Sequence, residues 1–233
     1  MKLFKWFTNR TDDQIIGQAS TKMEILTPKD KFNLLISETI KPLLKTHGFG
    51  KKGLTFYQHR GELIFVFNFQ NSQGNTFEQT RFYVNCGIYS SLIDKTIDKI
   101  QLKEPKAYEC HYQKRISHIT KVQKDGYEIH NNSDFETLIT KAKADILIVL
   151  THYDKINTTS DLTDLMINEN EFGNGIFDYF ISKNDHRNIE KYVEKMAYVW
   201  SSQKRWTSIK DRLNGQLKEN NLQITVEEIL ADK

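Results

Sequence analysis

At 233 residues, the chain has room for one domain of ordinary size and a substantial extension. Hydrophobic residues at 38% and aromatics at 12% supply a packed core, and 27% charged residues with a net +3 indicate a folded, water-exposed surface. This composition excludes a disordered chain, and a net charge this small gives no general attraction to polyanions.

No apolar run approaches the roughly 20 residues needed to span a bilayer, the longest candidate being Ile146 to Leu150. The opening MKLFKWF falls short of the roughly 7 to 15 apolar residues of a signal-peptide core. Its alternating lysines and rings suit a strap packed on the body of the protein, a frayed end or a short membrane-surface anchor. Residues 1–27 are therefore assigned as a strap and linker. The two cysteines, Cys86 and Cys110, are too few for a disulfide framework or a thiolate metal site, so reduced thiols in a cytoplasm are expected.

From Pro28 the pattern turns helical. Phe32, Leu35, Ile36, Ile40, Leu43 and Leu44 recur at three- and four-residue steps; Pro42 predicts a break or bend, and Gly48 a stop. Leu54 to Arg60 reads as a strand joined through a tight Arg60-Gly61 turn to the next, with Phe56 opposite Phe65. From Gly61 to Ser91 two strands alternate. Leu63, Phe65, Phe67, Phe69, Phe82, Val84, Cys86 and Ile88 form a core face. Asn68, Gln70, Arg81, Tyr83 and Asn85 lie on the other, where Ile64, Val66 and Tyr57 predict partial cover, the C-terminal helices being one candidate. The polar stretch Asn71 to Gln79 is a loop that Phe77 is expected to pin.

Beyond Ser91 a short helix is predicted to end before Pro105. Cys110 to Gln123 reads as a strand, and Asp125-Gly126 as a turn into a strand at Tyr127 to His130. Ser133 with Glu136 predicts a capping box for a helix whose stripe, Phe135, Leu138, Ile139, Ala142, Ile146, Val149 and Leu150, covers the apolar side of the sheet. Helices follow at Asp161 to Asn168, around Ile176 to Ile181, at Asp185 to Gln203 and at Arg205 to Glu219. The fold class is thus α+β: an antiparallel four- or five-stranded sheet with helices packed on one face, then an α-helical C-terminal extension. The expected boundaries are 28–155 and 156–233.

Four ordered blocks, KPLLKTHGFGKKGLTFYQHRGELIFVFNFQNSQ, RFYVNCGIYS, CHYQKRISHI and YEIHNNSDFETLI, resemble the bacterial domain-of-unknown-function family numbered four-three-zero-four over about Phe32 to Thr151. Matching positions include Gly48, Phe49, Asn68, Phe69, Gln70, Ser72, Asn85, Gly87 and Arg115. The resemblance implies a bacterial cytoplasmic α+β domain and brings no catalytic role.

For chemistry, no phosphate-cradling glycine loop is present, since Gly173-Asn174-Gly175 follows no strand. A Cys110, His111 and Asp125 trio rests on proximity in sequence alone, and Asp161 and Asp164 sit where a helix start favours acids. No catalytic set, metal site or cofactor is expected. Asn68, Gln70, Arg81, Tyr83, Asn85 and Arg115 are ligand-binding candidates, because amides donate and accept while a guanidinium grips carboxylate or phosphate. Ile156 to Ser182 holds five acidic and no basic residues, whereas Lys183 to Lys218 holds nine basic against four acidic, a net of +5. The two tracts either face each other or leave a basic surface, with Arg187, Lys191, Lys195, Lys204, Arg205 and Trp206 as partner-binding candidates. The leading expectation is a non-catalytic interaction protein that binds a partner protein, an immunity-type toxin neutraliser being one form. The alternatives are a small-molecule-binding domain or enzyme using the polar sheet face, and nucleic-acid binding through the basic helices.

Overall fold

The computed structural model describes residues 26–122, 125–173 and 175–231; MKLFKWF and nearly all of the assigned linker lie outside them. Thr27 caps the first helix, α1 (Pro28–Leu34), by accepting from the Asp30 N–H. The helix continues through a π segment, Leu35–Ile40, into α2 (Lys41–Thr46). This is how Pro42 is accommodated: the wider turn, with Lys41 N–H donating to Ile36 O, relieves the crowding its ring would impose on the carbonyl of Glu38. Gly48, at φ +81, then ends α2 as expected, with Phe49 N–H reaching back to Leu44 O and Gly48 N–H to Lys45 O.

The sheet has six strands: β1 (Gly50–Lys52), β2 (Thr55–Arg60), β3 (Leu63–Asn71), β4 (Gln79–Ser90), β5 (Tyr112–Arg115) and β6 (Tyr127–His130). Their order is β1-β2-β3-β4-β5, with β6 also pairing β4 antiparallel through Arg81↔Glu128 and Phe82↔Tyr127. The extra strand is β1, over Gly50-Lys51-Lys52. The β2–β3 turn is Gly61-Glu62 rather than Arg60-Gly61, with Gly61 at φ +56. Phe69 N–H donates to Leu54 O, so the register is shifted by two residues from the expected one. A shift of two preserves parity, and every residue stays on its expected face.

The predicted strand at Cys110 to Gln123 is shorter than expected: β5 stops at Arg115, and Ile116–Thr120 form one turn of helix, α4. That turn ends on Lys121 in a left-handed conformation, φ +56, and buries Ile116 and Ser117. The remaining helices are α3 (Ser91–Thr96), α5 (Phe135–Tyr153), α6 (Thr159–Asn168), α7 (Ile176–Ser182), α8 (His186–Trp200), α9 (Trp206–Glu219) and α10 (Val226–Ala231). The last was not anticipated. The cap of α5 is Asp134, whose carboxylate accepts from the Thr137 N–H and hydroxyl, while Ser133 instead accepts from His130 N–H.

Contacts group the residues into two units. One comprises residues up to Phe56, Phe67–Cys86 and Lys114–Thr151; the other comprises Tyr57–Val66, Gly87–Gln113 and residues from His152 on. The first has an aromatic core in which Phe32, Phe69 and Tyr127 gather around Phe82, and Phe56 meets Phe69 edge-on. Lys31, buried in the α1 stripe, donates to Asn131 O at 2.7 Å. In the second unit, the Tyr153 ring packs on Phe65 while its hydroxyl reaches Val66 O at 3.0 Å and Gly87 O at 3.2 Å. On the face of Ile64 and Val66, Tyr57 and Tyr89 are neighbours within the sheet, and Leu102 and Cys110, from the segment that precedes β5, pack against them. The buried faces of α8 and α9 are those expected, with Ile189, Tyr192, Val193, Met196, Leu213 and Leu217 inside and Trp200, Trp206 and Ile209 half-buried.

Two substitutions test this packing. Tyr153→Phe removes a buried hydroxyl from two backbone carbonyls and is expected to lower unfolding free energy by about 1–2 kcal/mol in urea titrations. A Cβ at Gly87 would lie 2.7 Å from Cys110 Sγ. Gly87→Ala should accordingly cost about 1–3 kcal/mol, with part of the loss recovered in Gly87→Ala/Cys110→Ala.

Candidate functional site

All six ligand-binding candidates lie in the first unit, and the structure brings them into one connected group. Alternation along β3 and β4 puts Asn68, Gln70, Arg81, Tyr83 and Asn85 opposite the aromatic face, and Arg115 joins them from the end of β5. Asn68 donates to Thr55 Oγ1 at 2.9 Å and accepts from Asn85 Nδ2 at 3.1 Å. Asn85 also donates to Gln70 Oε1 at 3.0 Å, and Arg115 Nη1 reaches the same oxygen at 3.4 Å. The guanidinium of Arg115 lies 4.4 Å from the centre of the Tyr83 ring and that of Arg81 5.2 Å from it. Asp125 links the two arginines, with its carbonyl 3.3 Å from Arg81 Nη2 and its carboxylate 3.7 Å from Arg115 Nε. Gln70 is exposed and the other five are half-buried.

The hairpin loop that leads into β4 belongs to the same unit. Asn75 holds it in both directions, donating to Arg81 O at 3.1 Å and accepting from Arg81 N–H at 2.7 Å. Backbone bonds from Ser72 N–H to Arg81 O and from Thr76 N–H to Gln79 O complete the closure. Phe77 does not pin this loop, as the sequence suggested; it is 81% exposed. Its exposure and the linking role of Asp125 were missed in the sequence. Asn75 was the available signal, since an asparagine that satisfies a turn's backbone leaves a neighbouring ring no structural task.

The tail candidates lie in the second unit and are less uniform. Arg187 and Lys204 are exposed, while Lys195 and Trp206 are half-buried. Lys191 is tied to Asp164 at 2.7 Å, and Arg205 lies 4.8 Å from the Trp200 ring, itself packed on Phe172. Gln216 donates to Asp178 at 2.6 Å and Lys210 pairs with Glu227 at 2.9 Å. The acidic and basic tracts thus meet in part. Asp161 forms a capping box with Thr158 and, through the Asn157 N–H above all, is held below its ordinary pKa.

The Cys110, His111 and Asp125 trio does not assemble. Burial pushes the Cys110 thiol far up, and its sulfur faces Lys106 O at 3.6 Å. Asp125 accepts from Ser117. His111 belongs to a different, buried cluster. Its Nδ1 accepts from Ser90 N–H at 3.1 Å, which leaves the ring proton on Nε2, 3.3 Å from Asp94. The other Asp94 oxygen accepts from Tyr89, whose hydroxyl in turn accepts from Leu102 N–H. Burial chiefly raises the Tyr89 pKa to about 12. In the first unit Asp145, buried on the α5 stripe, accepts from Tyr127 at 2.6 Å and Lys141 at 2.9 Å. A carboxylate on an otherwise apolar stripe was the signal for it. Among the described residues, no group of three or more His, Cys, Asp or Glu is placed to hold a metal ion.

The histidines give a pH dependence with a definite sign. Burial lowers the pKa of both His111 and His152 from 6.5, so the unfolded chain takes up protons that the folded chain resists. Their stabilising contribution is full above 6.5 and is lost as pH falls below it towards the folded values. Urea midpoints at pH 7.5 and 5.5 should therefore fall with pH, and His111→Gln/His152→Gln should flatten the change; an unaltered slope would contradict it. Glu227, held at about 2 chiefly by Lys210, gives its full stabilising contribution above its unfolded 4.5 and loses it only as pH falls below that value, so it does not alter the comparison between pH 7.5 and 5.5.

No helix among the described residues is long and apolar enough to cross a membrane. No curated protein and no solved structure matches the chain. Residues 40–151, which contain all six polar-face residues and Phe77 but not the helices beyond α5, match the family described as a domain of unknown function (DUF4304).

Proposed function

We propose that this chain is a non-catalytic interaction protein of the bacterial cytoplasm that binds a partner protein through the β3–β4 hairpin and the polar face beside it. The observation that carries this reading is Phe77, 81% exposed on a loop whose backbone is closed by its own hydrogen bonds. A phenylalanine kept in water forgoes about 1.5–3 kcal/mol of burial, which a partner's surface recovers on association. An ordered loop loses little conformational freedom when it docks. The half-buried arginines and tyrosine of the same hairpin and β5 are the residue types that dominate interface energetics.

The two alternatives have weaker support. A small-molecule site would need the six polar side chains to converge on a ligand, and here they bond largely to one another. Nucleic-acid binding by the tail loses part of its cationic surface to the Lys191–Asp164 and Lys210–Glu227 pairs.

Capture by the tagged protein from its host's lysate supplies the partner, and Phe77→Ala is the discriminating variant. Its stability should stay within about 0.5 kcal/mol of the parent, because the ring makes no core contact. Affinity for the captured partner should fall about tenfold or more. Undiminished binding by Phe77→Ala, or recovery of no partner at either low or high salt, would overturn the reading.

A further inference from the structure

We infer that Asn75 is the positioning residue of the proposed interface: its side-chain amide stands in for a strand beside Arg81 and so fixes the loop from which Phe77 projects. This rests on the interaction reading and adds what holds the docking loop in its binding shape.

The first observation is the pattern of two bonds. Asn75 Oδ1 accepts from Arg81 N–H at 2.7 Å, and Asn75 Nδ2 donates to Arg81 O at 3.1 Å. In an antiparallel ladder a hydrogen-bonded residue exchanges an N–H and a C=O with the residue opposite, and a carboxamide carries the same donor and acceptor side by side. β3 ends at Asn71, and just beyond it Ser72 N–H donates to Arg81 O. The acceptor for the Arg81 N–H comes from Asn75, so the ladder is completed by a side chain. An ionised aspartate at this position has no donor for the carbonyl, and an alanine has neither group.

The second observation is what lies on either side of this clamp. Arg81 belongs to the part of β4 that also pairs with β6, through Arg81↔Glu128, so Asn75 is fastened to a strand held from its other edge as well. Two residues on stands Phe77. Thr76 N–H donates to Gln79 O at 2.9 Å, which leaves Phe77 and Glu78 as the two residues of the tip, and Glu78 N–H turns back to Thr76 Oγ1 at 3.2 Å. The Phe77 ring, 81% exposed, does not anchor the loop by packing. Its direction is set by the backbone, and the backbone is set from Asn75.

A loop that holds its docking shape only part of the time binds with an affinity reduced by that fraction. Loss of the Asn75 amide that leaves about a tenth of the molecules in the docking shape lowers affinity about tenfold, although no atom in contact with the partner has changed.

The test uses the full chain and the captured partner, with Asn75→Ala, Asn75→Asp, Phe77→Ala and the double variant Asn75→Ala/Phe77→Ala. Asn75→Ala should bind about tenfold more weakly than the parent, and the double variant no more weakly than Phe77→Ala alone. Asn75→Asp should fall between Asn75→Ala and the parent, because its carboxylate still accepts from Arg81 N–H. Amide hydrogen exchange, read without partner, should speed up at Thr76 and Arg81 in Asn75→Ala while the strand amides of Phe65 and Val84 keep their protection. Unaltered exchange at Arg81, parental affinity in Asn75→Ala beside a weakened Phe77→Ala, or losses that multiply in the double variant would overturn the inference and leave the interaction reading in place. Should Phe77→Ala bind as the parent does, the interaction reading falls and this inference falls with it.

Discussion

The change of environment along β3 governs the rest of the architecture. From Leu63 to Phe67 every side chain is buried, so the strand is covered on both faces; from Asn68 onward only Phe69 is buried and the alternate positions face water. A strand has only two faces, and the aromatic ones claim one of them throughout. In the second unit Leu102 and Cys110 close the second face over Ile64 and Val66. In the first unit the amides Asn68 and Gln70 share their face with Arg81 and Tyr83.

Two kinds of polar cluster result. Tyr89 with Asp94 and Tyr127 with Asp145 form short, buried bonds, as buried polar groups must if they are not to cost stability. The group around Tyr83 differs in its partial exposure.

Much of the fold was legible because it rests on periodicity. The alternation Phe65, Phe67, Phe69 and Phe82, Val84, Cys86 survives a two-residue register error, since parity alone assigns the faces. The six polar-face residues could be named for the same reason, but not their mutual bonding, which depends on rotamers and on Asp125 arriving from a turn. Local chemistry was less transparent. Ile116–Thr120 has the β-branched content of a strand yet makes a helical turn, because its packing overrides a weak propensity. Ser133 has the spacing of a capping box, and the adjacent Asp134 took the role; the two are equally good caps, and only the backbone geometry chooses. Phe77 was misread because an aromatic in a polar loop is usually there for packing, and the hydrogen bonds that make it unnecessary belong to its neighbour.

The short first strand has a consequence for how this chain can associate. A sheet edge with a long run of free backbone donors and acceptors invites strand addition by another chain. β1 offers only Gly50–Lys52, all three exposed, with two lysines among them. Such an edge is too brief and too cationic to template a neighbouring strand, including one from a second copy bearing the same lysines. Association at that border by backbone pairing is thereby discouraged, and specificity is left to side chains.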